Sequence, residues 1–122
     1  MKKRNAPKTG AETINKRVKR VREALSMTQM AFSRVLALSS GYLAGIETEK
    51  RAVNARLVKL ICSSFTVDEA WLRTGTGAMF AEGTDESFLK LASLFRELNP
   101  KYREYLFKEI TLLLEMQDRG NS

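Results

Sequence analysis

The chain is poor in side chains that do covalent or metal chemistry and rich in side chains that bind anions. It has 122 residues, no histidine and one cysteine, so no zinc site of the usual nitrogen–sulfur type can be built from it. Cys62 lies in the apolar run Leu57-Val58-Lys59-Leu60-Ile61-Cys62, where a small buried hydrophobe is a better reading than a reactive thiol. No serine–lysine or other catalytic constellation with a supporting scaffold is found, and no catalytic residue, metal or cofactor is expected. Cations are abundant and unevenly placed. Residues 1–60 carry 14 Lys and Arg against 4 Asp and Glu, a net +10, whereas residues 61–122 carry 7 against 10, a net −3. The first half suits a polyanion, and the second half has another task.

The element that would present those cations is the stretch from Thr28 to Glu47. Thr28 and Ser39 are good N-caps, because each hydroxyl can accept a bond from an orphan backbone N–H. Phe32, Val35 and Leu36 fall on one face of the first helix, Leu43 and Ile46 on one face of the second, and Leu38 fills the angle between them. The pattern reads as a helix-turn-helix, whose second helix is the one offered to a DNA major groove.

The flanking elements follow from the same signals. Residues 1–12 are basic, contain Pro and Gly and lack an apolar period; a flexible arm able to follow phosphates or a minor groove is expected there, with a merely solubilising tail as the alternative. Helix 1 starts near Thr13, with Ile14, Val18, Val21 and Leu25 as its stripe and Lys16, Arg17, Lys19 and Arg20 on a solvated face. Asn54 caps helix 4, with Leu57, Val58, Leu60 and Ile61 toward the core. Asp68 caps helix 5, where Trp71 and Leu72 are buried and Gly75 and Gly77 end the helix. After a connector at 78–83, Thr84 or Asp85 caps helix 6, with Phe88, Leu91, Ala92, Phe95 and Leu98 on one face. Asn99-Pro100 starts helix 7, which runs to about Gln117 and is apolar over most of its circumference.

Taken in order, Thr28-Gln29, Ser39-Ser40-Gly41-Tyr42-Leu43, Ile46-Glu47, Lys50-Arg51, and Val67 followed by Trp71-Leu72-Arg73-Thr74-Gly75 give the chain a family likeness. Over about residues 14–80 it resembles the phage-repressor/Cro-like (Xre-type) helix-turn-helix family. The resemblance implies an all-α chain, with a five-helix, lambda-repressor-like DNA-binding domain at 13–80. It also implies the work of a bacterial or phage-encoded transcriptional regulator, a repressor by family default. By position, Ser40, Gly41, Ala44 and Gly45 would read base edges. Gln29, Lys50, Arg51 and Arg56 would hold phosphates, with Arg34 adding to them. Arg22 and Glu47 would form a structural ion pair that fixes the reading helix.

Three departures from the family pattern carry consequences. The turn between helices 2 and 3 has Ala37 where the family often has Gly, which costs about 1 kcal/mol if that residue is left-handed. Glu49 stands at a family Gly and puts a negative charge beside the expected phosphate path. The reading positions lack the long polar side chains that bidentate base recognition needs.

The hairpin at 84–118 has two competing uses. It could pair with its copy, through Phe88, Phe95, Leu106, Ile110, Leu113 and Leu114, or fold back on its own domain; dimerisation is the expected one. The expected function is therefore sequence-specific binding of double-stranded DNA by a dimer on a two-half-site operator. The alternative is an antitoxin or phage-related interaction module whose C-terminal helices grip another protein. No run of 18 or more apolar residues and no apolar signal region are seen, so neither a membrane partner nor secretion is expected, and the cytoplasm is the expected compartment.

Overall fold

A computed structural model describes residues 12–121. The expected arm at 1–12 thus lies outside the described residues except for Glu12, which belongs to the folded part: its backbone carbonyl accepts from Arg17 and its carboxylate pairs with Arg20. Among the described residues the chain is all-α, with seven helices and no named strand. They are α1 (Ile14–Ala24), α2 (Gln29–Val35), α3 (Ser40–Glu47), α4 (Ala55–Phe65), α5 (Glu69–Thr74), α6 (Glu86–Glu97) and α7 (Pro100–Gly120).

The helix starts are set by local chemistry. Thr13, Thr28, Ser39, Asn54, Asp68 and Asp85 each accept a bond from the backbone N–H three residues on. Asn99 makes no such bond; there Pro100 alone, in the first turn, sets the start. Helix α7 runs to Gly120, three residues past the expected end, because nothing after Gln117 breaks it.

The ends are less ordinary. Ser26, Ala37, Glu49 and Thr66, none of them glycine, have φ of 56, 57, 64 and 59°. The next residue's N–H returns to a carbonyl five back in each case: Met27 to Arg22, Leu38 to Ser33, Lys50 to Gly45 and Val67 to Cys62. Each is a Schellman-type closure that Gly would fill with less strain.

One core joins α1 to α5. Val18, Val21, Phe32, Leu43, Ile46, Ile61 and Leu72 are almost fully buried, and Phe32 stacks on Phe65 with ring centroids 4.6 Å apart. Arg17 is a correction to the expected solvated face. It is buried, and its guanidinium donates to the Leu72 and Arg73 carbonyls at 2.8 and 2.9 Å, closing the end of α5. Burial pushes its pKa down despite the nearby Glu12. Leu60 also departs from expectation. It is exposed, because the inward stripe runs through Leu57, Val58, Ile61 and Phe65 and leaves Leu60 at its edge. The connector at 78–83 does more than link: Phe80 enters the core, held by a bridge to Val67 and by the Asp68 N–H donating to the Met79 carbonyl.

Helix α6 reaches this body by a different side from the expected one. Leu89 packs on the core and Ser93 is buried, whereas Phe88 and Leu91 are exposed. The Ser93 hydroxyl donates to the Leu89 carbonyl, so a small side chain that satisfies itself sits where apolarity alone would not place it. Phe95 meets Phe107 of α7 and lies under the Arg103 guanidinium, which also donates to the Leu98 carbonyl. Beyond that base α7 is solvated, and residues 111–121 are all exposed.

Candidate nucleic-acid interface

Helix α3 is short, and its inner face is used up by the core. Leu43, Ile46 and Glu47 point inward, so Ser40, Gly41, Ala44 and Gly45 turn away from it. Ser40 and Gly41 are exposed, and Ala44 and Gly45 are half-buried. A Cβ added at Gly41 would meet nothing within 4 Å. The first turn carries no acidic residue to oppose an incoming anion, and Ser39 caps it from outside.

A network behind the helix sets its angle. The Arg22 Nε and Nη2 donate to the two Glu47 carboxylate oxygens at 2.7 and 3.0 Å, and Arg22 Nη1 donates to the Met27 carbonyl at 2.9 Å. Gln29 adds a third donor to Glu47, at 2.9 Å. Burial alone would raise the Glu47 carboxyl. The hydrogen bonds from Arg22 and Gln29 and the Arg22 charge outweigh it and hold the carboxyl below its ordinary range. The same hydrogen bonds, donated to Glu47, push Arg22 up. Gln29, expected at a phosphate, therefore has its side-chain amide engaged inside the domain.

Asn15, absent from the sequence reading, holds the same C-terminal end of α3. Its amide donates to the Ile46 and Arg51 carbonyls at 2.9 and 2.7 Å, tying α1 both to α3 and to the loop after it. Its sequence signal is faint, a short amide beside the apolar stripe of α1. Arg17 had a better one: it lies three residues after Ile14 and four before Val21, inside the stripe.

The expected phosphate-holding cations do not all gather at α3. Lys50 and Arg51 lie in the loop that follows it, their N–H groups both donating to the Gly45 carbonyl, and Arg56 stands exposed in the first turn of α4. Arg51 folds back across α3. Its stem would come within 3.2 Å of a Cβ at Gly45, and its guanidinium sits 4.6 Å from the Tyr42 ring centroid. The outer side of Gly45 is thus covered by Arg51 rather than bare. Glu49 takes a left-handed conformation, and its carboxylate faces Lys16 at 3.7 Å. Arg34 is turned elsewhere. It points roughly 140° around α2 from Gln29 and pairs with Glu97 of α6 at 3.0 Å.

The expected pairing residues of α6 and α7 fall into two groups. Phe95, Leu106 and Ile110 are half-buried within the chain, and Phe88, Leu113 and Leu114 are exposed. Cys62 is half-buried against the core and burial raises its thiol pKa, which suits packing better than reactivity.

Among the described residues no helix is long and apolar enough to cross a membrane, and no group of three or more His, Cys, Asp or Glu is placed to hold a metal ion. No family model matches the chain, and comparisons with curated proteins and with solved structures give no match either.

Proposed function

We propose that the chain is a sequence-specific double-stranded DNA-binding transcriptional regulator with a lambda-repressor-like five-helix domain. It represses by occupying a promoter as a dimer. The observation that carries this reading is the mounting of α3. Three side chains, Arg22, Gln29 and Glu47, lock it from behind while Ser40, Gly41 and Ala44 face outward, with Lys50, Arg51 and Arg56 beside them. The net +10 of residues 1–60 supports the same polyanion. The C-terminal helices supply the two-fold pairing, through the exposed Phe88, Leu113 and Leu114 and the apolar residues around them.

Selection of duplexes from random DNA, followed by footprinting, tests this reading. The expected result is one enriched sequence with two protected half-sites about 34 Å apart, centre to centre. Recovery of unenriched DNA would remove the reading. One observation favours a second reading, in which α7 grips another protein and DNA binding is secondary: Tyr105, Leu112, Leu113 and Met116 are all more than half exposed. Loss of operator binding when α7 is truncated separates neither reading; retention of operator binding by a strict monomer favours the second.

A further inference from the structure

The reading face of α3 is missing a long donor, and the fold puts one there from outside the helix. Ser40, Gly41, Ala44 and Gly45 offer one hydroxyl, one methyl and two bare backbone positions, which is too little for bidentate recognition of a purine. Arg51 brings a guanidinium against this face. It is not extended along the loop as a phosphate clamp would be. Its Cγ and Cδ lie in the space that Gly45 leaves free, 3.2 Å from an added Cβ, and its guanidinium is held over Tyr42 at 4.6 Å. Its backbone is pinned twice, through its N–H to the Gly45 carbonyl and its carbonyl to the Asn15 amide.

Gly45 and Tyr42 share one flank of α3, since residues three apart share a helix face, and the Arg51 side chain runs over both. Gly45 therefore serves as a slot and Tyr42 as a platform. Stacking leaves the edge of the guanidinium, with its N–H donors, free to meet the two acceptors of a guanine in the major groove.

Resting on the DNA-binding reading above, we propose that Arg51 is the base-reading residue of this helix-turn-helix, recognising a G·C pair from the place a side chain at 45 would otherwise fill. Phosphate holding is left to Lys50 and Arg56. The chemistry follows from the fork: two parallel N–H donors match guanine O6 and N7, whereas a lysine ammonium in the same place supplies charge without that match.

The test compares Arg51→Lys, Arg51→Ala and Gly45→Leu with the wild-type chain, on the duplex that the wild type selects and on its single-base variants, at several salt concentrations. Arg51→Lys keeps the charge and disturbs no buried group. It should lose on the order of tenfold to a hundredfold of discrimination at one G·C pair, with the salt dependence unchanged. Gly45→Leu fills the slot and should give the same loss at the same base pair with Arg51 still present. The proposal is overturned if Arg51→Lys keeps full discrimination. It is equally overturned if Arg51→Ala weakens all sequences alike and lowers the salt slope by about one phosphate's worth per protomer, which is the signature of a phosphate contact. A wild-type chain that selects no sequence overturns the functional reading itself, before any Arg51 variant is measured.

Discussion

Helices α3 and α7 use their apolar residues in opposite ways. In α3, Leu43 and Ile46 are completely buried, and Arg22 and Glu47 behind the helix are paired with each other inside the domain. In α7 no residue is buried, and Leu113 is 61% exposed. A helix that buries its apolar stripe against its own chain is positioned before any ligand arrives. A helix that leaves leucines, tyrosines and a methionine in water has no internal reason to carry them. The contrast is between a helix fixed from within and one whose apolar residues stay in water, and it can be broken from either side.

The largest effect is expected behind α3. Glu47→Ala leaves the Arg22 guanidinium without its carboxylate in a site where Arg22 is 14% exposed. A loss of about 3 kcal/mol should lower the melting temperature by roughly 15 °C in a domain of this size, read by circular dichroism. The same pair sets an acid limit. Because the folded Glu47 pKa lies below the unfolded value of 4.5, its contribution is present above that pH and is lost as pH falls through the folded pKa. Unfolding free energy measured between pH 6 and about 2 should therefore fall less steeply in Glu47→Gln than in the parent.

Arg17→Met should come next. It keeps the stem but leaves the Leu72 and Arg73 carbonyls at the end of α5 without donors, and a loss of about 2 kcal/mol is expected. The single tryptophan, Trp71, is buried beside them and reports the urea transition by its fluorescence. Ala37→Gly should act in the other direction. With φ at 57°, Ala37 is left-handed, and relief of that strain should stabilise by about 1 kcal/mol; a destabilised variant would show that the turn has a different origin.

The smallest effect on folding is expected at α7. Leu113→Glu changes a solvated side chain, so the Trp71 transition should move by less than about 0.5 kcal/mol. Sedimentation at micromolar concentration should nevertheless shift from dimer to monomer. A wild-type chain that sediments as a monomer would break the comparison on this side.

What the sequence discloses follows the range of the forces involved. Caps are local: Thr28, Ser39, Asn54 and Asp68 act as the sequence points to them, Asp85 is one of the two candidates it offers for helix 6, and Asn99 makes no side-chain bond. The apolar stripes of α1 and α3 are nearly as legible, because period alone assigns them. Arg17 and Asn15 are illegible for the opposite reason: their partners, Leu72, Arg73, Ile46 and Arg51, are distant in sequence, and a charge or an amide on a helix reads as solvated until the carbonyls it meets are known. The inner face of α6 is hidden because Ser93 satisfies its own hydroxyl, which no count of apolar residues reveals. The candidate reading face is half legible. Its poverty at Ser40, Gly41, Ala44 and Gly45 stands in the sequence, and the return of Arg51 across Gly45 depends on a loop closed by backbone bonds to α3 and by the Asn15 amide.

The central claim is that α3 and the cations around it face the DNA backbone and bases. It is tested most directly by the affinity of the full chain for its selected duplex as salt is raised. If Lys50 and Arg56 of two protomers each neutralise a phosphate, log K should fall linearly with log salt with a slope of about −4. A slope near zero would mean that no phosphate is contacted, and would contradict the account.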